Sequence, residues 1–429
     1  MIQIVKADGR AEQALIASLK ARAAAVNEDI TRAVSAIMED VARRGYEAVE
    51  EYSLKFDHAA PREITAAELE AACAACDPAL VQAMEHAAAN IRDYNEKLLT
   101  GTREWTSPDG GRVGRIVRGL TRVGIYVPGG TAAYPSSVLM NAVPARVAGV
   151  EEIVMVTPPT ENLNTAVLAA AKIAGVDRVI ALGGAQAVAA LTYGAGWIPQ
   201  VDKLVGPGNA FVAAAKRLAY GTLDIDMVAG PSEVLVIADT TADPKFVAAD
   251  LLSQAEHDRL ASAWLLTDDL ELARQVDAEM ARQCGYLSRS EIMEESVERY
   301  GAAIVCEDLH QCAALANVVA PEHLEIVTED PRALLGEIKN AGAVFLGAWS
   351  PEPLGDYLAG PDHVLPTSGT ARFFSPLSVD AFLKTMSVIQ FDRDSLAPLA
   401  EQIITFANAE RLTAHANSIQ VRFEQEGQP

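Results

Sequence analysis

Four short polar segments hold the residue types that could do chemistry. LSQAEHD places Gln254, Glu256, His257 and Asp258 within five positions. It follows an apolar run that reads as helix, so Gln254 and His257 fall at i,i+3 on one face. Such a pair could lean on one metal ion, or could simply be a polar helix end. APEHLEI sets Glu322 and His323 side by side before an apolar strand. Adjacent residues cannot both face the core of a strand, so the pair either exposes one member or sits over a site, where both could share base work. PLGDYLAGPDHVLPT carries Asp356, Asp362 and His363 in a Gly/Pro-rich loop, and NAERLTAH carries Glu410 and His415 near the chain end.

Gly-rich turns form a second group of candidates. They are GIYVPGGTAAYPSSVLMNAVPA with Gly129 and Gly130, GGAQAVAALTYG, LVGPGNAFVAA, and MVAGPSEVLVIAD with Ser232 at its tip. Glycine permits backbone conformations closed to other residues, and a helix N-terminus beyond such a turn favours an anion. Successive turns of this kind suggest a ligand with phosphates. LVGPGNAFVAA is an incomplete dinucleotide fingerprint, because Phe211 stands where a third small residue belongs. Cys73 and Cys76 form a CxxC with no second pair, inside an Ala-rich helical run, and read as packing.

The elements that must position these residues follow from periodicity. Residues 1 to about 100 read as helices. A Gly-rich, charged stretch then suggests hairpins. From about 150, strand candidates such as EIVMVT, RVIALGG, EVLVIAD, SAWLLT and AGAVFLG alternate with helical runs. That alternation predicts parallel sheets covered on both faces, with sites at the carboxyl ends of strands. The number of strands favours two doubly wound units over one. The chain ends in helices separated from this body.

Bulk properties narrow the class. The chain has 429 residues, 50% hydrophobic and 22% charged, enough for two or three domains. A net charge of −23 argues against nucleic-acid or anionic-membrane partners. The first residues contain no apolar signal core, and no apolar run is long enough to span a bilayer. Five cysteines, an odd number thinly spread, fit a reducing cytoplasm.

Taken together, IYVPGG, GGAQAVAAL, GPGNAFV, GPSEVLV, SQAEHD, APEHLEI, GDYLAGPDHVLPTSGTARFFSPLS and ERLTAH resemble the histidinol dehydrogenase family, in that family's order and spacing across nearly the whole chain. The resemblance implies an α/β fold of two Rossmann-like doubly wound units, with a helical N-terminal segment and a helical C-terminal tail. It implies domains at 1–22, at 23–126 with 234–376, at 127–233 with the NAD-contacting loops, and at 377–429, the last swapped onto the partner of a cytoplasmic homodimer. The implied reaction is oxidation of L-histidinol to L-histidine by two NAD⁺ in turn, through histidinaldehyde. Gln254, His257, Asp356 and His415 would bind one Zn²⁺ per subunit, and those four with Ser232, His323, His363 and Glu410 would hold substrate. Glu322 and His323 would be catalytic, while Tyr126, Gln186 and Asn209 would contact NAD.

Two rivals remain at this level. A relative could oxidise another polar alcohol, such as a sulfonated diol, but Ser232, His363 and Glu410 fit an amine- and imidazole-bearing substrate. A non-catalytic two-domain binding protein of periplasmic type is opposed by the absent signal core and by the Glu322–His323 pair.

Overall fold

The structure, a computed structural model, describes residues 1–24, 28–129, 134–159 and 163–424. Gly130 of the first Gly-rich turn lies outside the described residues. The chain opens with β1 (Gln3–Lys6), then helices and the short β2 (Arg62–Ile64). After the helix Pro78–Leu98 come β3 (Arg103–Thr106) and β4 (Arg112–Gly119). The strands β5 (Arg122–Tyr126), β6 (Glu152–Thr157), β7 (Arg178–Ala181), β8 (Lys203–Val205) and β9 (Asp224–Ile225) then alternate with helices. So do β10 (Glu233–Ala238), β11 (Ser262–Thr267), β12 (Ala302–Val305), β13 (His323–Val327) and β14 (Ala343–Leu346), and β15 (Leu383–Gln390) precedes the terminal helices.

The chain divides into two compact units, Met1–Leu98 with Leu120–Phe382, and Leu99–Gly119 with Leu383–Pro429. The larger unit contains two six-stranded sheets. One runs β1-β12-β11-β10-β13-β14 and the other β2-β7-β6-β5-β8-β9. In each, the first strand of the series (β10 or β5) is central, with later strands added to both sides, the doubly wound order. All pairings are parallel except that of β2 with β7.

The continuous apolar strands are explained by burial on both faces. In β10, Val234 and Val236 pack with Val247, Leu251 and Val276 on one side. Leu235 and Ile237 pack with Ile16, Ala313 and Leu334 on the other. The other sheet is covered on one face by the helices Glu28–Arg44 and Tyr46–Phe56, whose Val34, Ile37, Val41 and Val49 meet Val154, Val156 and Ile180. Thus β2, β5 and these two helices, all before residue 127, belong with this second sheet.

The smaller unit is a three-stranded antiparallel sheet, β15-β4-β3, followed by the helices Ala400–Ala409 and Thr413–Gln420. β15 pairs with β4 over its whole length, from Leu383 with Gly119 to Gln390 with Arg112. The chain's tail therefore carries a strand as well as its helices. Among the described residues no helix is long and apolar enough to cross a membrane.

Candidate active site

The pairing of β13 beside β10 places His323 opposite Val234 and so beside the start of β10. There the main chain of one residue, Glu233, holds both members of the Glu–His pair. Its N–H donates to Glu322 Oε2 at 2.9 Å, and its carbonyl accepts from His323 Nδ1 at 3.0 Å. A carbonyl can only accept, so Nδ1 carries the proton and Nε2 is bare. Burial pulls the His323 pKa down to about 4, which leaves the ring neutral. Burial also pushes Glu322 well above the carboxylate range, opposed by the Glu233 N–H and reinforced by the carboxyls of Glu233, Asp356 and Glu352. Gly342 lets the next strand close against this corner, since a Cβ there would lie 2.5 Å from the Glu322 carbonyl oxygen.

A second cluster stands nearby. Ligand atoms of His257, Glu352 and Asp356 lie within 4.8 Å of one another. Glu352 and Asp356 share a face of the short helix Glu352–Tyr357, and His257 follows the helix Pro244–Ala255, which Asp243 caps with Pro244 in the first turn. Glu352 Oε2 accepts from Ser253 Oγ at 3.0 Å, and its N–H donates to Glu325 Oε1 at 2.8 Å. Burial, then the neighbouring Asp356, raises Glu352 to about 8, and burial raises Asp356 to about 6. His363 donates from Nδ1 to the Asp356 carbonyl at 3.1 Å, and burial lowers it to about 4.

These residues fit a divalent cation. Among the described residues Glu352 Oε1 and Gln254 Oε1 are buried without a hydrogen-bond partner, and Gln254 is only 1% exposed. Two orphan oxygens, an imidazole and a second carboxylate form an N/O donor set suited to zinc, which would also offset the cost of burying the carboxylates. Glu352 went unnoticed in the sequence, although its i,i+4 spacing from Asp356 in EPLGD is a readable signal. Glu256 caps the helix end and Asp258 holds a turn through the Leu260 N–H.

Both clusters face a cavity of about 1020 Å³, whose wall includes Ser232, Gln254, His257, His323, Asp356 and His363, with Gly206 to Asn209 opposite. The expected placement at carboxyl strand ends holds only for the second group, since Gly206 to Asn209 follow β8. Ser232, Glu322 and His323 lie at the amino ends of β10 and β13, because the amino edge of one sheet meets the carboxyl edge of the other at this cavity.

Of the residues expected at NAD, Asn209 lies on the cavity wall, and its Oδ1 caps the helix Ala210–Ala219 through the N–H groups of Phe211 and Val212 at 3.0 and 3.1 Å. Tyr126 and Gln186 are buried. The Tyr126 hydroxyl accepts from Gly184 N–H at 3.0 Å, and Gln186 Nε2 donates to Asp57 Oδ2 at 3.0 Å. These helix starts are therefore capped by the protein's own side chains, so the turns do not present those N–H groups to a phosphate. Exchangeable rather than tight dinucleotide binding suits such an edge. Glu410 and His415 are exposed residues of the smaller unit, at the end of Ala400–Ala409 and on Thr413–Gln420.

Two doubly wound sheets meeting at a cavity that holds a buried carboxyl–imidazole pair and an N/O donor cluster suit the dehydrogenase class. The family model described as histidinol dehydrogenase matches residues 20–423. The histidinol dehydrogenase of Clostridium acetobutylicum is 51% identical over 411 residues, covering 95% of each chain. That of Bacillus subtilis is 50% identical over 409 residues, 94% of this chain and 96% of its own. The crystal structure of histidinol dehydrogenase from Elizabethkingia anophelis superposes with a TM-score of 0.93 at 37% identity, covering 98% of each. The chain belongs to the histidinol dehydrogenase family, whose members are NAD-dependent oxidoreductases that use zinc.

A metal measurement checks the cluster. His257→Ala and Asp356→Ala should lose zinc on dialysis against a weak chelator that leaves the unaltered protein loaded, read by elemental analysis. Glu352→Gln should weaken zinc binding roughly 10- to 100-fold, the range for groups that support a metal shell. Unchanged zinc affinity in Glu352→Gln would remove that carboxylate from the site.

Proposed function

We propose that this protein oxidises L-histidinol to L-histidine in two successive NAD-dependent steps through histidinaldehyde, the last steps of histidine biosynthesis. The observation that carries the reading is the buried Glu322–His323 pair, held by one residue's main chain with a bare imidazole nitrogen left to act. Asn209, Tyr126 and Gln186 would hold NAD⁺, which would supply the hydride acceptor. Zinc, held by Gln254, His257 and Asp356 with Glu352 beside them and His415 completing the set, would fix the substrate's imidazole and amino nitrogens.

In the first step His323 Nε2 takes the hydroxyl proton as the carbinol hydride leaves, giving the aldehyde. The bond from Nδ1 to the Glu233 carbonyl keeps the ring oriented and stabilises the imidazolium formed. An aldehyde cannot lose a second hydride towards an acid until water adds. Glu322, made more basic by burial, removes a proton from that water as it adds to the aldehyde, and the His323 imidazolium returns its proton to the carbonyl oxygen, so the gem-diol forms and Nε2 is bare again. His323 then takes a hydroxyl proton from the gem-diol as the second hydride leaves, and the product is the carboxylic acid. Ser232 and His363 line the same cavity and would contact substrate, as would Glu410.

Glu410 and His415 reach the reaction, in this reading, from a partner subunit in a cytoplasmic homodimer, with residues 377–429 exchanged between chains. Support comes from the smaller unit itself. Its Phe406 and Ile389 are 73% and 75% exposed, and Leu412 and Val421 are also open, more apolar surface than a small unit leaves uncovered without reason.

The pair's division of labour is tested by Glu322→Gln. Histidinol-to-aldehyde oxidation should survive, while aldehyde-to-acid conversion falls by about 10²-fold or more; equal loss in both steps would refute the role given to Glu322. The exchange is tested by mixing inactive His257→Ala with inactive His415→Ala after mild dissociation. Activity should return as mixed dimers form with one intact site. No recovery, or a fully active monomer on gel filtration, would rule out shared sites.

A further inference from the structure

At the edge of the cavity, beside Gly206, lies a buried ion pair with no part in the chemistry described above. Lys216, on the helix Ala210–Ala219, contacts Asp226 directly, and the two side chains are 4% and 2% exposed. Between them they bind both peptide groups of Gly206. Lys216 Nζ donates to the Gly206 carbonyl at 2.8 Å, and the Gly206 N–H donates to Asp226 Oδ2 at 2.8 Å. Asp226 Oδ1 also accepts from the Met227 N–H at 2.6 Å.

The residue held this way is already constrained. Gly206 has a φ of +103°, and a Cβ there would lie 2.3 Å from the Tyr126 carbonyl oxygen, so only glycine fits. It begins the turn that ends at Asn209 on the cavity wall. Asp226 and Met227 begin the segment that ends at Ser232, on the same wall. One ion pair thus ties the turn on the cofactor side to the segment on the substrate side.

A buried pair of this kind is weak evidence for stability, because desolvating two charges offsets most of their attraction. Its distinctive product is a fixed backbone geometry. We propose that Lys216 and Asp226 are positioning residues that hold the Gly206–Asn209 turn in the conformation that accepts the dinucleotide. This rests on the NAD-dependent reading above. The pair acts through the main chain of Gly206, and Asp226 reaches the edge of the same cavity wall.

The test compares Lys216→Met and Asp226→Asn with the unaltered protein. NAD⁺ binding is measured directly by saturation-transfer NMR, which needs no turnover, and NADH formation from histidinol is followed separately. Each variant should weaken NAD⁺ binding and raise its KM about tenfold, while KM for histidinol moves less than about twofold, since misplacing a positioning element by a fraction of an ångström is enough for such a loss. Should the single variants fail to fold, Lys216→Met/Asp226→Leu leaves no unpaired buried charge, and the same shifts are expected of it. A lower melting temperature with unchanged NAD⁺ binding and KM would overturn the proposal and make the pair purely structural. If the unaltered protein binds NAD⁺ but does not oxidise histidinol, the functional reading fails while weakened NAD⁺ binding in the variants still supports this one.

Discussion

The main chain of Glu233 is the constraint on which the active site depends. A strand's first residue has a free N–H and carbonyl on the side where its neighbour has not yet begun to pair. Here those two groups take a carboxylate oxygen and an imidazole nitrogen from the start of β13. Adjacent residues on a strand point to opposite sides, which ordinarily separates a Glu–His pair. Placing Glu322 just before the strand and His323 as its first residue lets both turn towards Glu233. The Glu233 side chain ties in a further loop by accepting from Ser368 N–H at 3.2 Å. The Glu322–His323 pair is thus set by strand register, which apolar packing on both sheet faces enforces.

The second constraint is buried charge. Glu322 and Asp356 line the cavity, Glu325, Glu352 and Asp362 are buried in the same domain body, and burial raises every one of them. A protein does not bury so many carboxyls for stability. Glu352 and Asp356 cluster with His257 in a donor set that would suit a dication, and at Glu322 the same burial favours the proton-accepting role proposed for it. His323 and His363 respond in the opposite sense, since burial disfavours their charged forms and leaves neutral rings able to accept protons or bind ligands. One physical cause, exclusion of water, therefore prepares both acids and imidazoles for their work.

Much of this was readable beforehand, and the rest failed for identifiable reasons. Runs such as EVLVIA and SAWLLT announced strands buried on both faces, and the strand–helix alternation announced two doubly wound sheets. The polar segments at 254–258, 320–326 and 353–367 do converge on one cavity. The burial of Glu352 comes from its contacts with Ser253 and Glu325 rather than from local pattern, so the sequence alone does not mark it as interior. Lys216, in the run AAAKRLA, looks like a solvated helix position; only the tertiary partner Asp226 makes it interior. The amino-end location of Ser232 and His323 was likewise hidden, since periodicity locates strands without saying how two sheets face each other. Strand β15 escaped notice within the tail because its partner, β4, lies far away in sequence.

The central claim is that one cavity carries out two oxidations in sequence, with a hydration step between them. The most direct measurement is the amount of NADH formed per molecule of L-histidinol consumed, with NAD⁺ in excess and the organic product identified by mass spectrometry. The account predicts two NADH per histidinol, histidine as the product, and no accumulation of free aldehyde. One NADH with histidinaldehyde as the end product, or no NADH from the zinc-loaded protein, would contradict it.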